Sequence, residues 1–184
     1  LPYFRGKATV EKIICQSKLS YAILRPTVIF GAEDILINNI AWCLRRFRVF
    51  PVFGKGDYRV QPVCVEDLAD IAVAAGQEDE NVILDAVGPE TYTFEELVRL
   101  IAEKVGSGVL VIHARPGLAL FLSRLIGYAV RDVVLTGDEV RGLMANLLVS
   151  AKPPLGRTRL SEWLRQYGDR LGRAYAAELK RHYL

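Results

Sequence analysis

Methionine is nearly absent from this sequence. Met144 is the single one in 184 residues, and the chain starts Leu-Pro-Tyr with no initiator. That start is expected to be either a processed end or a point inside something longer. Histidine is scarce too, with two residues, and the three cysteines, Cys15, Cys43 and Cys64, stand far apart. No CxxC or Cys/His cluster occurs, so neither a zinc site nor a disulfide framework is indicated. Three buried free thiols in a reducing compartment are the expectation. No run of about 18 uncharged apolar residues is present, so a membrane-spanning helix is not expected. Nothing at the N-terminus resembles a signal peptide. The excess of basic over acidic side chains is only three, 24 against 21. That is too few for the clustered basic face of a nucleic-acid binder.

What is present is an ordinary globular composition, 51% hydrophobic and 24% charged, in a length that suits one domain. Phe4 to Ser17 reads as a helix, with Val10, Ile13, Ile14 and Ser17 at helical spacing. Tyr21 to Leu24 is a short apolar run that Arg25-Pro26 ends, and Val28 to Gly31 continues as extended chain. A second helix covers about Ile35 to Arg46 and ends in Arg45, Arg46 and Arg48. Phe50 to Phe53 and Tyr58 to Val65 read as the two arms of a hairpin about the turn Gly54-Lys55-Gly56-Asp57.

Asp67 is read as the cap of a helix whose apolar face is Leu68, Ile71, Ala72 and Ala75. Val82 to Val87 is strand-like. Thr93 and Glu96 form a capping box for a helix carrying Leu97, Ile101 and Val105, and Gly106 stops it. Val109 to Ile112 is a further strand. This alternation is an α/β signature, and the apolar strands predict a sheet covered on both faces.

Beyond residue 115 the pattern is helical: a stripe from Leu118 to Ala129, a second capping box at Thr136 and Glu139, a linker at Lys152 to Gly156, and a last helix that Thr158 can cap. The stripe is read as core packing in preference to a membrane or partner face.

Chemistry is carried first by Tyr3 and Lys7, which are four apart and so share a helix face. An ammonium beside a phenol stabilises phenolate. Such a Tyr can give or take a proton at a carbonyl or alcohol oxygen while hydride moves at the carbon. Their spacing alone is a weak signal; the series of motifs C-terminal to them is a stronger one. The series runs Tyr-Ala-Ile-Leu-Arg-Pro (21 to 26), Thr-Val-Ile-Phe-Gly (27 to 31), the stretch from Gly54 to Ala69, and Gly88-Pro89-Glu90-Thr91-Tyr92-Thr93-Phe94-Glu95-Glu96-Leu97.

In that order these motifs resemble the C-terminal half of an extended short-chain dehydrogenase/reductase of the epimerase/dehydratase type. They are most similar to the atypical branch that includes the Rossmann-fold accessory subunit of respiratory complex I. The resemblance implies Tyr3 as acid/base, Lys7 as its partner and ribose ligand, and Pro26, Thr27, Val28 and Ile29 as the loop beside the nicotinamide. It places Arg59 at an anionic substrate, together with Arg45, Arg46, Arg48 and Lys55, although a solvated basic surface is the plainer reading of these cations. It also implies a Rossmann-like core with a small substrate lobe (about 32–62 and 89–115) over residues 1–115, and a helical extension over 116–184.

Departures from that pattern limit the expected activity. No G-x-G-x-x-G loop exists, and Gly54-x-Gly56 sits in a turn rather than between a strand and a helix. The acidic residue that selects the ribose is absent, as is the Ser or Thr that assists the Tyr. NAD or NADP is therefore expected to bind only with a missing N-terminal half, and this chain alone is expected to be inactive. His113 and His182 have no partner at ligand or triad spacing.

The resemblance leaves two functions open. One is an NAD(P)-dependent oxidoreductase or epimerase acting on a small molecule. The other is a non-catalytic accessory subunit that holds NAD(P)H and docks on a respiratory complex or membrane surface. Either implies a cytoplasmic protein, peripheral to the inner membrane in the second case, with no nucleic-acid partner. Some of the apolar residues are then expected to form a face that the missing half covers.

Overall fold

The computed structural model describes residues 1–115, 117, 127–128 and 137–177. Its helices are α1 (Pro2–Gln16), α2 (Leu36–Arg46), α3 (Val65–Gly76), α4 (Phe94–Lys104), α5 (Gly137–Met144) and α6 (Leu160–Tyr167). Its strands are β1 (Ala22–Pro26), β2 (Ile29–Phe30), β3 (Val49–Phe53), β4 (Arg59–Val60), β5 (Val63–Cys64), β6 (Val82–Ala86), β7 (Tyr92–Thr93) and β8 (Leu110–Ala114). They pair two by two: β1–β6, β2–β5 and β3–β8 parallel, β4–β7 antiparallel. The fold is α/β, as the alternation of elements predicts. The stripe from Leu118 and the Thr136 end of the second capping box lie outside the described residues.

The core gathers where apolar side chains recur at three and four residues. Ile37, Ile40, Ala41 and Leu44 of α2 face Leu97, Val98, Ile101 and Ala102 of α4, and Leu160 and Leu164 of α6 close the layer. Thr93 caps α4 as expected: its hydroxyl accepts from the Glu96 amide at 3.2 Å, and the Glu96 carboxylate accepts from the Thr93 amide at 2.7 Å.

The other half of the fold is uncovered. No side chain of α1 is buried, and Ala75 is the one buried residue of α3. Val10, Ile13 and Val73 are 55%, 62% and 63% exposed. Among the described residues β1 is paired on one edge alone, and its Ala22, Arg25 and Pro26 are exposed, so the strand expected to be covered on both faces is not. This is the exposed apolar face that the sequence led one to expect.

The hairpin is a correction. The turn is where it was expected, with positive φ at Gly54 and Gly56, but its arms do not pair with each other. β3 finds β8 in parallel register, Val49 opposite Leu110, and β4 turns away to β7. The Tyr58 carbonyl is taken by the Phe94 amide and the Gly54 amide by the Ala114 carbonyl. Partners more than thirty residues away thus outcompete the local ladder. The thiols also need correcting: Cys64 is buried, but Cys15 and Cys43 are only partly so.

Asp67 and Thr158 do not cap as expected. Cys64 is the N-cap of α3 and Arg159 that of α6. The Asp67 carboxylate instead reaches across the chain. It accepts from the Arg157 and Thr158 amides, both at 2.7 Å, and from the Thr158 hydroxyl at 3.0 Å. The expected linker is therefore a strap. Leu155 and Gly156 amides donate to the Val87 carbonyl, and Glu90 accepts from the amide and hydroxyl of Ser161. Asp67→Ala leaves three donors without their acceptor and is expected to cost about 2–3 kcal/mol. The urea midpoint will fall, and proteases will cut first between Lys152 and Arg157; an unchanged midpoint and cleavage pattern would disprove the clamp.

Candidate functional site

A cleft of about 570 Å³ lies between α1, β1 and the segment 147–150 that precedes the strap. Tyr3, Lys7, Pro26, Thr27, Leu147 and Val149 are among the residues that line it. Helical geometry brings Tyr3 and Lys7 there together, since residues four apart differ by about 40° around the axis. The Lys7 ammonium lies over the Tyr3 ring, 5.6 Å from its centroid, and the Tyr3 side chain is 65% exposed. A cation over the ring face is an attractive arrangement in its own right.

The remaining candidates are placed elsewhere. Val28 is buried in the core and its carbonyl accepts from the Val63 amide; Ile29 opens β2; neither lines the cleft. Arg59 sits exposed on β4, away from the cleft lining, with its amide donating to Asn146 Oδ1 at 2.6 Å. Arg45 is not part of a free basic surface. Its guanidinium caps the chain after α6, donating to the carbonyls of Leu171, Gly168 and Asp169. Arg46 lies over the Trp42 ring at 4.6 Å.

His113, expected to be without a partner, has one: its Nε2 lies 2.9 Å from Glu95 Oε2, while Arg99 donates to the other oxygen. The hydrogen bonds from Arg99 first, and from the His113 ring after it, hold the Glu95 carboxyl below its ordinary range. The group is exposed on the surface and apart from the cleft. Among the described residues no cluster of metal-ligating side chains occurs, and no helix is long and apolar enough to cross a membrane. Burial pushes the Cys64 and Cys43 thiols up to about 11, so neither is a nucleophile near neutral pH.

The sequence reading missed the polar floor of the cleft. Glu11, Arg25, Asp85 and Ser150 all line it. Arg25 donates to both oxygens of Glu11, through Nε at 3.0 Å and through a terminal nitrogen. Its other terminal nitrogen lies 3.7 Å from Asp85, which faces it across the β1–β6 register. Ser150 Oγ donates to Asp85 at 2.8 Å. The Arg25 fork draws the Glu11 carboxyl below the ordinary carboxylate range. The signal was available, because Glu11 continues the Tyr3–Lys7 spacing by another four residues.

Also missed was Gln61, the buried polar side chain of the core. Its amide nitrogen donates to the Gly88 carbonyl at 2.9 Å, and its oxygen accepts from the Ser150 amide at 3.1 Å. Thr27 donates its hydroxyl to the Gln61 carbonyl.

The donor set fits one end of a nicotinamide dinucleotide. Lys7 is an exposed ammonium four residues from a phenol, beside an extended Pro-Thr segment, which suits a nicotinamide and its ribose. Among the described residues no glycine-rich strand-to-helix turn stands at the cleft to cradle a pyrophosphate.

No family model matches the chain. Over 104 residues it is 28% identical to the NADH dehydrogenase [ubiquinone] 1 alpha subcomplex subunit 9, mitochondrial, of Arabidopsis thaliana, covering 55% of this chain and 26% of the relative. The corresponding subunit of Dictyostelium discoideum is 24% identical over 103 residues, 55% of this chain and 29% of the relative. Among solved structures it is similar to dTDP-glucose 4,6-dehydratase of Bacillus anthracis in complex with NAD. The TM-score is 0.60 at 14% identity, covering 91% of this chain and 51% of that one. UDP-glucuronic acid 4-epimerase of Bacillus cereus, with UDP-glucuronic acid and NAD, gives a TM-score of 0.56 at 14% identity over 89% of this chain and 49% of that one. The chain thus spans roughly a quarter of the curated relatives it matches and half of these solved structures. The resemblance read from the sequence holds at the level of fold.

Proposed function

We propose that this chain, an extended short-chain dehydrogenase/reductase of the complex I accessory-subunit branch, forms the acid/base and substrate-lobe portion of an NAD(P)-dependent oxidoreductase or epimerase. The observation that carries this reading is the convergence of Tyr3, Lys7, Pro26 and Thr27 on one cleft. A nicotinamide dinucleotide, when bound, supplies or accepts the hydride. Tyr3 gives or takes the proton at the substrate oxygen. Lys7 favours the phenolate and donates to the ribose hydroxyls. Pro26 and Thr27 would stand beside the ring, with Leu147 and Val149 adding to the apolar lining.

The open edge of β1 and the uncovered face of α1 are where a nucleotide-binding half adds its strand and helices. In that assembly residues 1–115 complete the core and the lobe, and 116–184 form the extension. NAD and NADP both suit the residues that line the cleft.

A second reading is favoured by the similarity to subunit 9 of NADH dehydrogenase and by the Lys7 ammonium lying over the Tyr3 ring face. In it the same cleft holds NAD(P)H without turnover, and the protein serves as an accessory subunit of a respiratory complex.

The test is NAD(P)H fluorescence on the protein that carries this chain together with the completing half. Binding enhances the fluorescence, and Lys7→Met weakens it by about tenfold or more, the loss of a charge-assisted hydrogen bond or two. A folded, complete protein that binds neither NADH nor NADPH would overturn both readings.

A further inference from the structure

We propose that Glu11, Arg25, Asp85 and Ser150 form a positioning chain that sets the rotation of α1, and with it the direction in which Tyr3 and Lys7 face the cleft. The proposal rests on the acid/base and ribose-binding roles proposed for Tyr3 and Lys7.

The need for such a device follows from packing. A helix is ordinarily oriented by the apolar stripe it buries, and α1 buries no side chain fully, Phe4, Ile14 and Cys15 being half-buried. Near its start Phe4 lies against Gly142 of α5, where an added Cβ would meet the ring at 3.2 Å. Further along, its polar ties toward the sheet are Glu11 and Cys15, the latter hydrogen-bonded to Tyr21 just before β1. Arg25 grips both oxygens of that carboxylate, and a fork of two parallel bonds fixes a plane where a single contact would leave a pivot.

Arg25 is itself held. It stands on β1 directly across from Asp85 on β6, 3.7 Å away. Asp85 is anchored from the other side by the Ser150 hydroxyl at 2.8 Å, with the Lys152 ammonium 3.8 Å off. Ser150 is pinned to Gln61 through its amide. The chain therefore runs from α1 through both strands to Ser150, in the segment before the strap that also brings Leu147 and Val149 to the cleft.

The geometry transmits along the helix. Tyr3, Lys7 and Glu11 are successive fours, each about 6 Å and about 40° from the next. Fixing the azimuth of Glu11 thus fixes those of Lys7 and Tyr3. The side chain of Arg25 is 49% exposed and that of Glu11 25%. An ion pair this open contributes little to global stability, so its value is in orientation.

The experiment is ¹⁹F NMR of this 184-residue chain labelled with 3-fluorotyrosine, the Tyr3 resonance being assigned by its loss in Tyr3→Phe. In Glu11→Gln the Tyr3 resonance is expected to move by more than its linewidth. Arg25→Lys, which keeps the cation and loses the fork, gives a smaller displacement, and Ser150→Ala the smallest. The resonances of Tyr58 and Tyr92, in the core, stay in place. An unmoved Tyr3 resonance in Glu11→Gln overturns the proposal. So does an equal shift of Tyr58 and Tyr92, or loss of fold in that variant, since either makes the pair a general stabiliser. The readout needs neither dinucleotide nor turnover. A protein that binds no NAD(P)H leaves it intact, and an unmoved Tyr3 leaves the binding test intact.

Discussion

Gly88→Ala is expected to cost more than about 3 kcal/mol and to leave much of the chain unfolded at 37 °C. A methyl at that position would sit 1.9 Å from the Pro62 carbonyl oxygen, 3.0 Å from the carbonyl carbon and 3.3 Å from the Val63 Cα. All three neighbours are backbone, so no rotamer change relieves the clash. Shifting Pro62 is no easier. The next residue, Val63, begins β5 and pairs with Ile29, and its amide donates to the Val28 carbonyl at 2.8 Å. The Gly88 carbonyl is also committed, accepting from the buried Gln61 amide.

Against a total stability of about 5–15 kcal/mol for a domain, the loss is a large fraction. Urea denaturation followed by Trp fluorescence measures it. Gly76→Ala is the control: nothing lies within 4 Å of the added methyl, and the site ends a helix, so stability should hold or rise by about 0.5–1 kcal/mol. A Gly88→Ala midpoint equal to wild type would show that the crossing of the two segments is looser than the structure has it.

That crossing also marks what the sequence could and could not reveal. Local signals were legible. The capping box at Thr93 and Glu96, the strand signals, and the turn at Gly54 and Gly56 are set by residues within four positions of each other. Pairing was not, because what decides it lies far away in the chain. The arms about Gly54-Lys55-Gly56-Asp57 read as a hairpin, yet β3 takes β8 and β4 takes β7.

Polar side chains whose partners are distant backbone groups were equally opaque. Asp67 looks like a cap and is a clamp on residues ninety positions later. Arg45 looks like a surface cation and closes the chain after α6. Asn38 accepts from the Gly172 amide, and Gly172 itself sits at φ +67 with its Cα so close to α2 that an added Cβ would lie 2.4 Å from the Ala41 carbonyl carbon. In the site, helical spacing revealed Tyr3 and Lys7, and would have revealed Glu11 had the run been extended. Arg25 and Asp85 needed the register of β1 on β6.

Tyr3→Phe is expected to lower kcat/KM by about 10²–10⁴-fold in the complete protein if the acid/base reading holds. At about 1.36 kcal/mol per decade, that is roughly 3–5 kcal/mol of barrier carried by one hydroxyl. The size of the effect follows from the role, since a proton must reach or leave the substrate oxygen as hydride moves and, among the described residues, no other phenol, imidazole or thiol lines the cleft. The substitution is otherwise mild. Tyr3 is 65% exposed and its ring contact with Phe4, edge to face at 5.4 Å, needs no hydroxyl. NAD(P)H binding and the melting temperature should therefore stay at wild-type values while turnover falls.

Tyr92→Phe supplies the opposite signature. It removes a hydroxyl that donates to Glu90 at 2.6 Å outside the cleft, so stability should drop while kcat/KM per folded molecule persists. If Tyr3→Phe leaves kcat/KM untouched in a protein that turns over, Tyr3 is not the acid/base. If instead the wild type binds NAD(P)H tightly, turns over no carbonyl or nucleotide-sugar substrate, and co-purifies with respiratory subunits whether residue 3 is Tyr or Phe, the cleft is a holding site and the accessory-subunit reading stands.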